Sequence, residues 1–522
     1  MNKKIFGAIL LFIILLAAIL LLWLLLPRFM DRQQKITSDA TKTRGKIRIA
    51  MDNWIGYFPL RSNEMKNAMR RMGWILSCED DNADYEGRMM RLKDGDIDFA
   101  VATVDSFILN AHQHGFPGTI IAVIDESKGG DAILALKNKI DSLDALKGRS
   151  DVRIAFTPNS PSHHLAKAAA DHFNIPELLP SGSMYEETEG SEKAREKLLS
   201  GKADVAILWE PDVSRALDHK DIIKLLGTED TEKLIVDILI VRRQFSQKNP
   251  EVINQLLDNY FRVLKKYRDS PGLLVSHVKE ETGLSEDKIE SMLKGVEWAS
   301  FGDNCDKWFG IAAPGSYASE GIIDTIQSTI NILINSNDFK TSPIPDEDPY
   351  RLTNSAHLEY LFSKGISGFS SPKQASNTAE PISSIETKFS QLTEKEWNAL
   401  KEVGTLKVDP IVFQHGTNEL SMLAKKVVDQ AVERLKHYPN FRVTIKGHTG
   451  IRGDQKENLR LSQERAEAVA RYLNVVYNID PNRLFSIGFA GKEPLPLIQG
   501  ESKRSYEYRL PRVELVLVRE DY

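Results

Sequence analysis

Cysteine is nearly absent: the 522-residue chain holds 2, at positions 78 and 305. Two thiols exclude a multi-bridge disulfide scaffold and a four-thiolate zinc site, and leave room for one disulfide in an oxidising compartment. An excess of one charge sign is missing too. Lys and Arg total 68 against 73 Asp and Glu, a formal net charge of -5, and with both signs interspersed the chain lacks the basic stripe that a phosphate backbone attracts. Nucleic acid is not an expected partner. There is no G-x-x-x-x-G-K-[ST] phosphate loop, and no nucleophile, base and orienting group assemble from the motifs. Neither an enzyme nor a cofactor is expected. His163 and His164, like His112 and His114, lack the acidic spacing of a metal site and read as solvated or capping histidines.

One hydrophobic run is long. Ile5 to Leu26, IFGAILLFIILLAAILLLWLLL, carries no charge. At about 1.5 Å per residue it makes roughly 33 Å of helix, enough to span a bilayer. It is longer than the apolar core of a secretory signal and ends in Leu-Leu-Pro-Arg-Phe-Met, without a small-x-small cleavage site. No cysteine follows it for lipid attachment, so an uncleaved transmembrane anchor is expected. Lys3 and Lys4 precede the run and Arg28, Arg32 and Lys35 follow it, so flanking charge does not orient it. With no ionisable residue inside, the helix is no proton path by itself. Trp23 reads as an interfacial anchor.

Residues 27–44 form a polar tether. Beyond it KIRIAM (46–51), DIDFAVATV (96–104), VRIAF (152–156), DVAILW (204–209) and LIVDILIV (234–241) are apolar, strand-like runs separated by helical segments. That alternation predicts α/β layers with largely parallel strands. Asn249 as N-cap and Pro250 at the first position open a helix whose Val252, Ile253, Leu256, Leu257, Tyr260, Phe261 and Leu264 make a core stripe. Residues 346–397 read as a linker, rich in Ser and Pro and without period at 366–385. From residue 398 a mildly cationic α/β module follows, with strands at 411–413, 441–447, 483–488 and 512–518 and helices at 419–437 and 459–477.

Within that module GHTGIRGDQKENLRLSQERAEAVARYL, from Gly447 to Leu473, resembles the OmpA-like peptidoglycan-binding domain, as do IVFQHGTNEL (411–420) before it and NRLFSIGFAGKEPLP (482–496) after it. The resemblance implies a βαβαβ-type sandwich with helices on one face of a mixed sheet, and a pocket for the diaminopimelate of the wall stem peptide. It implies that Arg465 pairs with the ligand carboxylate, a task suited to a planar bidentate donor. Thr449, Asn458, Leu461 and Ser462 would shape the pocket floor and the helix start. Where the family has an Asp to face the ligand ammonium, this chain has Gly450, and Leu510-Pro511-Arg512-Val513 stands for the family's Asn-Arg-Arg-Val. Losing one partner of a desolvated charge pair costs several kcal/mol. Asp454, in the same loop, is the candidate substitute; otherwise it is a solvated loop charge and Arg465 a surface helix residue.

Further upstream, MDNWIGYFPL (51–60), DYEGRMMRLKDGDIDFAVATVDS (84–106), DESKGGDAILALKN (125–138), GKADVAILWEPD (201–212) and IVDILIVRRQFSQKNPEVI (235–253) follow in an order that resembles the type II periplasmic binding proteins of the nitrate, sulfonate and taurine transport class. The resemblance implies two α/β lobes joined by crossing strands, with a ligand cleft closed by hinge motion. The positions it turns towards the cleft are Trp54, Tyr57, Asp105, Ser106, Ser127, Gly130, Asp131, Thr157, Ser160, Trp209 and Glu210. Aromatic walls would give apolar contact while hydroxyls and backbone N–H groups fix a small polar solute. Three inward acids would repel a bare anion, which favours an amine-bearing or cationic ligand; a helix cap or interlobe hydrogen bond is the alternative for each acid.

The expected whole is an α/β protein with a cytoplasmic N-terminus (1–4), a transmembrane anchor (5–26), the tether (27–44), a solute-binding-like domain (45–345), the linker (346–397) and an OmpA-like domain (398–522). Both resemblances place the bulk of the chain in the periplasm, anchored by a single pass in the bacterial inner membrane. The expected partners are a small-molecule solute, peptidoglycan, the lipid bilayer, and an ABC permease or other inner-membrane protein. The alternative is a structural envelope tether with a ligand-free binding fold, laid out like the B subunit of flagellar stators; the acid-free membrane helix argues against ion coupling.

Overall fold

The computed structural model describes residues 43–179, 184–312, 317–365, 389–411, 413 and 417–520. The expected anchor at 5–26, nearly all of the tether and the centre of the linker lie outside them. Among the described residues no helix is long and apolar enough to cross a membrane.

Two sheets organise the first part of the chain. Strands β1 (Gly45–Met51), β2 (Trp74–Asp80), β3 (Phe99–Thr103) and β4 (Gly118–Ser127) start one lobe; β5 (Asp131–Leu136), β6 (Arg153–Phe156), β7 (Met184–Glu187), β8 (Val205–Trp209) and β9 (Ile222–Gly227) make the other. The chain then returns through β10 (Val236–Arg242) and β11 (Val296–Trp298). The sheet orders are β11-β4-β10-β3-β1-β2 and β7-β6-β8-β5-β9. The chain therefore passes between lobes at 127–131 and again at 227–236. β1 is parallel to β2 and β3, but β10 is antiparallel to β3 and β4, so the sheet is mixed and not largely parallel. The returning strand enters from the other lobe and runs against its neighbours. β3 and β4 are buried at every residue, which is why they read as unbroken apolar runs.

The helix Pro250–Asp269 buries the whole predicted stripe from Val252 to Leu264. Asn249 makes no side-chain cap there; its Nδ2 donates back to the Phe245 carbonyl at 3.1 Å. The expected linker is folded as far as residue 365. Leu352, Leu358 and Leu361 are buried in the first lobe's core, and Asn354 N donates to Ile120 O at 2.8 Å. The first lobe therefore reaches past residue 345.

The C-terminal module has strands β12 (Lys401–Thr405), β13 (Arg442–His448), β14 (Leu484–Ala490) and β15 (Arg512–Arg519) in the order β12-β15-β13-β14. Helices Met422–Leu435 and Gln455–Tyr477 bury Val428, Ala431, Ala466, Val469 and Leu473 against Val443, Ile445, Leu515 and Leu517. On the opposite face Trp397 stacks on Phe485, 5.1 Å between ring centres. The edge strand is 401–405, not 411–413, where Phe413 makes only an isolated bridge to Leu420.

This module shares a core with the second lobe: Phe173 and Leu178 pack in one cluster with Val403, Tyr438 and Phe441. Lys407 N donates to His172 O at 2.7 Å, Glu232 N to His437 O at 2.8 Å, and Thr405 donates its N and Oγ1 to Asp144 Oδ2 at 3.1 and 2.9 Å. Cys78 and Cys305 are free thiols; burial pushes both up to about 12. His163 and His164 are not solvated; His163 Nδ1 accepts from Asn159 N at 3.3 Å, just ahead of the helix start. They sit buried in the helix Pro161–Phe173, whose burial holds His163 well below its ordinary value and His164 at about 3.

Candidate functional site

Between the lobes lies a cavity of about 960 Å³. It is built where strands end. The turns after β1 and β2 bring Asp52, Trp54, Tyr57, Asp81 and Tyr85 from the first lobe; those after β6, β7 and β8 bring Thr157, Thr188, Glu189, Glu192 and Asp212 from the second. Asp131 opens β5 and Asp237 lies at the start of β10, each next to a crossing between the lobes. Crevices outside the carboxyl ends of strands are where open α/β sheets bind ligands, because the connecting turns splay apart there.

Charge in the cleft divides into compensated and uncompensated groups. Arg88, fully buried, donates Nε to Asp81 at 2.7 Å, Nη1 to Val101 O at 2.6 Å and Nη2 to Asp52 at 3.2 Å, and its guanidinium lies 5.0 Å from the Tyr85 ring centre. Arg195 and Arg215 hold Asp212. Asp131 instead accepts only neutral hydroxyls, from Ser127 at 2.8 Å and Ser162 at 2.6 Å. Asp237 accepts from the Tyr57 hydroxyl, and Asp125 from Trp54 Nε1 at 3.2 Å. Burial pushes Asp131 up to about 6 against the lowering effect of its two serines, and Asp105 likewise to about 6. Burial raises Asp125 and Asp237, and their mutual repulsion raises Asp237 further.

Of the positions read from the sequence, Trp54, Tyr57, Asp131, Thr157 and Trp209 line this cavity. Ser127 stands behind Asp131. Ser106, next to Asp105, donates across the lobes to Asn159 O at 3.2 Å. Gly130 gives Trp54 its place: a Cβ there would lie 2.2 Å from Trp54 Cη2. Ser160 caps the helix Pro161–Phe173 through His163 N, and Glu210 accepts from Ser214 Oγ at 2.6 Å at the start of Asp212–Leu217. Sequence reasoning passed over Asp52, Asp81, Tyr85, Asp125 and Asp237. The last two had a signal, an acid placed inside a run of buried apolar residues.

In the C-terminal module Asp454 caps the helix Gln455–Tyr477, accepting from Lys456 N and Glu457 N at 2.9 and 3.0 Å. Asn458 Nδ2 donates to Arg452 O at 2.9 Å and ties down the same loop. Ser462 is buried and accepts from Ala490 N at 3.0 Å, while Thr449 N donates to Ala490 O at 2.8 Å; Leu461 is half-buried beside them. Arg465 is 9% exposed, donates Nε to Thr417 O at 3.2 Å and lies 4.9 Å from the Phe413 ring centre. Among the described residues it has no carboxylate partner. Burial lowers its pKa, the mark of a guanidinium lacking a counter-charge. At Gly450 an added Cβ would meet nothing within 4 Å.

The OmpA family model matches residues 412–506. Outer membrane protein Omp38 of Acinetobacter baumannii is 35% identical over 85 residues, 16% of this chain and 24% of that protein. The peptidoglycan-associated lipoprotein of Rhizobium meliloti is 32% identical over 87 residues, 17% of this chain and 49% of that one, and that of Pseudomonas putida 30% identical over 118 residues, 22% and 68%. The chain thus spans a quarter to a half of the first two relatives. Among solved structures, the periplasmic aliphatic sulphonate binding protein SsuA from Escherichia coli is 17% identical with a TM-score of 0.46, covering 59% of this chain and 98% of its own. The alkanesulfonate-binding protein SsuA from Xanthomonas axonopodis pv. citri, bound to MOPS, is 14% identical with a TM-score of 0.46, covering 60% and 98%.

Proposed function

We propose, from the premise that the C-terminal module of this chain belongs to the OmpA family, that the protein holds a solute-recognition unit against the cell wall. Residues 5–26 anchor it by a single pass in the bacterial inner membrane, and the bulk of the chain lies in the periplasm. The two lobes close on a small solute, the C-terminal module binds peptidoglycan through Arg465, and the liganded unit is presented to a membrane partner, an ABC permease or another inner-membrane protein. The interlobe cavity carries this reading. It is large enough for a small metabolite, is walled by Trp54, Tyr57, Tyr85 and Trp209, and is lined by polar groups from both lobes.

The test is a thermal-shift panel on the full chain in detergent against amines, amino acids, sulfonates, nitrate and phosphonates, alongside sedimentation with isolated peptidoglycan. A shift with one class and co-sedimentation are expected. A second reading, a structural tether with a ligand-free fold, is favoured by the core that the second lobe shares with the C-terminal module, since such docking stiffens a strut. Co-sedimentation without a shift from any class would select it.

A further inference from the structure

We infer that the interlobe cleft selects a primary ammonium ion on an organic stem; this rests on the reading of the cleft as a solute site. Internal ion pairs compensate some acids of the cleft and leave others without a cation. Asp52 and Asp81 are held by Arg88, and Asp212 by Arg195 and Arg215. Asp131 and Asp237 at the wall keep no cation in contact, and Glu189 stands with them. Behind them Asp125, fully buried, has an Oδ2 with no hydrogen-bond partner among the described residues.

An anion entering this space meets carboxylates and finds Arg215, the one lining cation among the described residues, already engaged with Asp212. Like charges brought together in a desolvated cleft cost several kcal/mol. A bare metal ion fits no better: among the described residues no three His, Cys, Asp or Glu side chains are grouped to hold one. An alkylammonium matches both kinds of wall. Its N–H groups can donate to the carboxylates of Asp131 and Asp237, and its methylenes can lie on Trp54, Tyr57, Tyr85 and Trp209, whose π faces also attract the charge. Burial raises Asp131 and Asp237; the charge of a bound cation offsets that burial, so Asp237 gives up its proton as the ammonium enters.

The experiment follows the tryptophan fluorescence of the full chain in detergent during titration with 1,4-diaminobutane, tetramethylammonium or ethanesulfonate. Saturable binding of 1,4-diaminobutane is expected, with tetramethylammonium weaker because it has no N–H to donate. Asp131→Asn should weaken the diamine by about tenfold or more, the cost of replacing a charge-assisted hydrogen bond. Glu189→Gln, at the cleft mouth, tests the same field without touching the core, and should give a smaller loss that vanishes at high salt. Ethanesulfonate binding in place of the diamine overturns this inference and leaves the solute-site reading intact. Equal binding of tetramethylammonium and the diamine overturns the hydrogen-bonded ammonium. Silence with all three probes and throughout the thermal-shift panel, on a chain that melts cooperatively, overturns both.

Discussion

The imidazole of His172, in the second lobe, stacks on that of His437 in the C-terminal module, 5.3 Å between ring centres and 17° from parallel. His172 Nδ1 meets the Tyr438 hydroxyl at 2.8 Å; His437 Nδ1 meets Glu232 O at 2.9 Å and its Nε2 the Ser328 hydroxyl at 2.9 Å. Glu232 lies in the segment that returns from β9 to β10. The C-terminal module is thereby docked on the segment that links the two lobes.

That stack predicts acid-sensitive docking. Burial holds His172 well below its ordinary value and lowers His437; the His437 ring, Arg434 and His164 further oppose protonation of His172, while Glu232 and Glu433 favour the charge on His437. A folded-state pKa below the unfolded one means that the unfolded chain binds more protons at low pH, so stability is full above about pH 6.5 and falls as pH drops below it. Hydrogen-exchange protection factors at residues 404–408 and 437–440, corrected for the intrinsic fall of base-catalysed exchange with pH, should drop between pH 7 and pH 5, and His437→Gln should flatten that dependence. Protection factors unchanged across this range would remove the histidines from the docking energetics.

The acid pair in the first lobe predicts the opposite slope. Asp237 on β10 stands in register with Asp125 on β4, and burial followed by the Asp125 charge raises Asp237 well above the carboxylate range. A folded-state pKa above the unfolded one means the native state holds the extra proton, so its stability declines as pH rises from about 4 towards the folded value. Asp237→Asn keeps an acceptor for Tyr57 and removes that decline. It should stabilise the protein at pH 7 and hardly at all at pH 4, as read from chemical denaturation at the two pH values.

Gly130→Ala should disturb the cleft wall without adding charge. Its Cβ would fall 2.2 Å from Trp54 Cη2 and 2.9 Å from Ser127 Oγ, so the indole must swing and its Nε1 must leave Asp125. Overpacking of this kind costs about 1–3 kcal/mol. The expected result is a lower melting temperature together with a shifted tryptophan emission. Native emission with native stability would mean that Trp54 is not pinned by this contact.

Much of the architecture was legible because buried strands announce themselves. LIVDILIV and DIDFAVATV became β10 and β3, and the Gly-His-Thr segment fell at the end of β13 with Arg465 on the helix that follows. What escaped was tertiary. Lys401–Thr405 is too short and too polar to signal an edge strand, and the segment around Leu352 and Leu358 is ordered by the first lobe, not by its own period. Asp237 was visible as one acid in an apolar run, but its role depends on Asp125 across the sheet, and register is not written in either strand alone. Asp454 also carries a role the motif does not announce: its Oδ1 caps the helix through Lys456 N and Glu457 N.

The same cap bears on the wall site. With Asp454 Oδ1 accepting at the helix start and Gly450 in the position of the family's acid, the proposed wall site offers Arg465 for a ligand carboxylate and, for its ammonium, Asp454 Oδ2 alone. Gly450 is open, with nothing within 4 Å of an added Cβ, so Gly450→Asp brings a carboxylate to the loop without a clash, and an exposed substitution of this kind changes stability by about 0.5 kcal/mol or less. If the absent acid limits affinity, Gly450→Asp should raise co-sedimentation with peptidoglycan by about tenfold in apparent affinity, the scale of one charge-assisted contact. Arg465→Ala should abolish co-sedimentation in both backgrounds, because the proposed site relies on the buried guanidinium for the ligand carboxylate with or without an acid at 450. Retained sedimentation of Arg465→Ala would move wall binding away from this helix, and a Gly450→Asp variant no better than the parent would mean that the ligand ammonium is already met by another group.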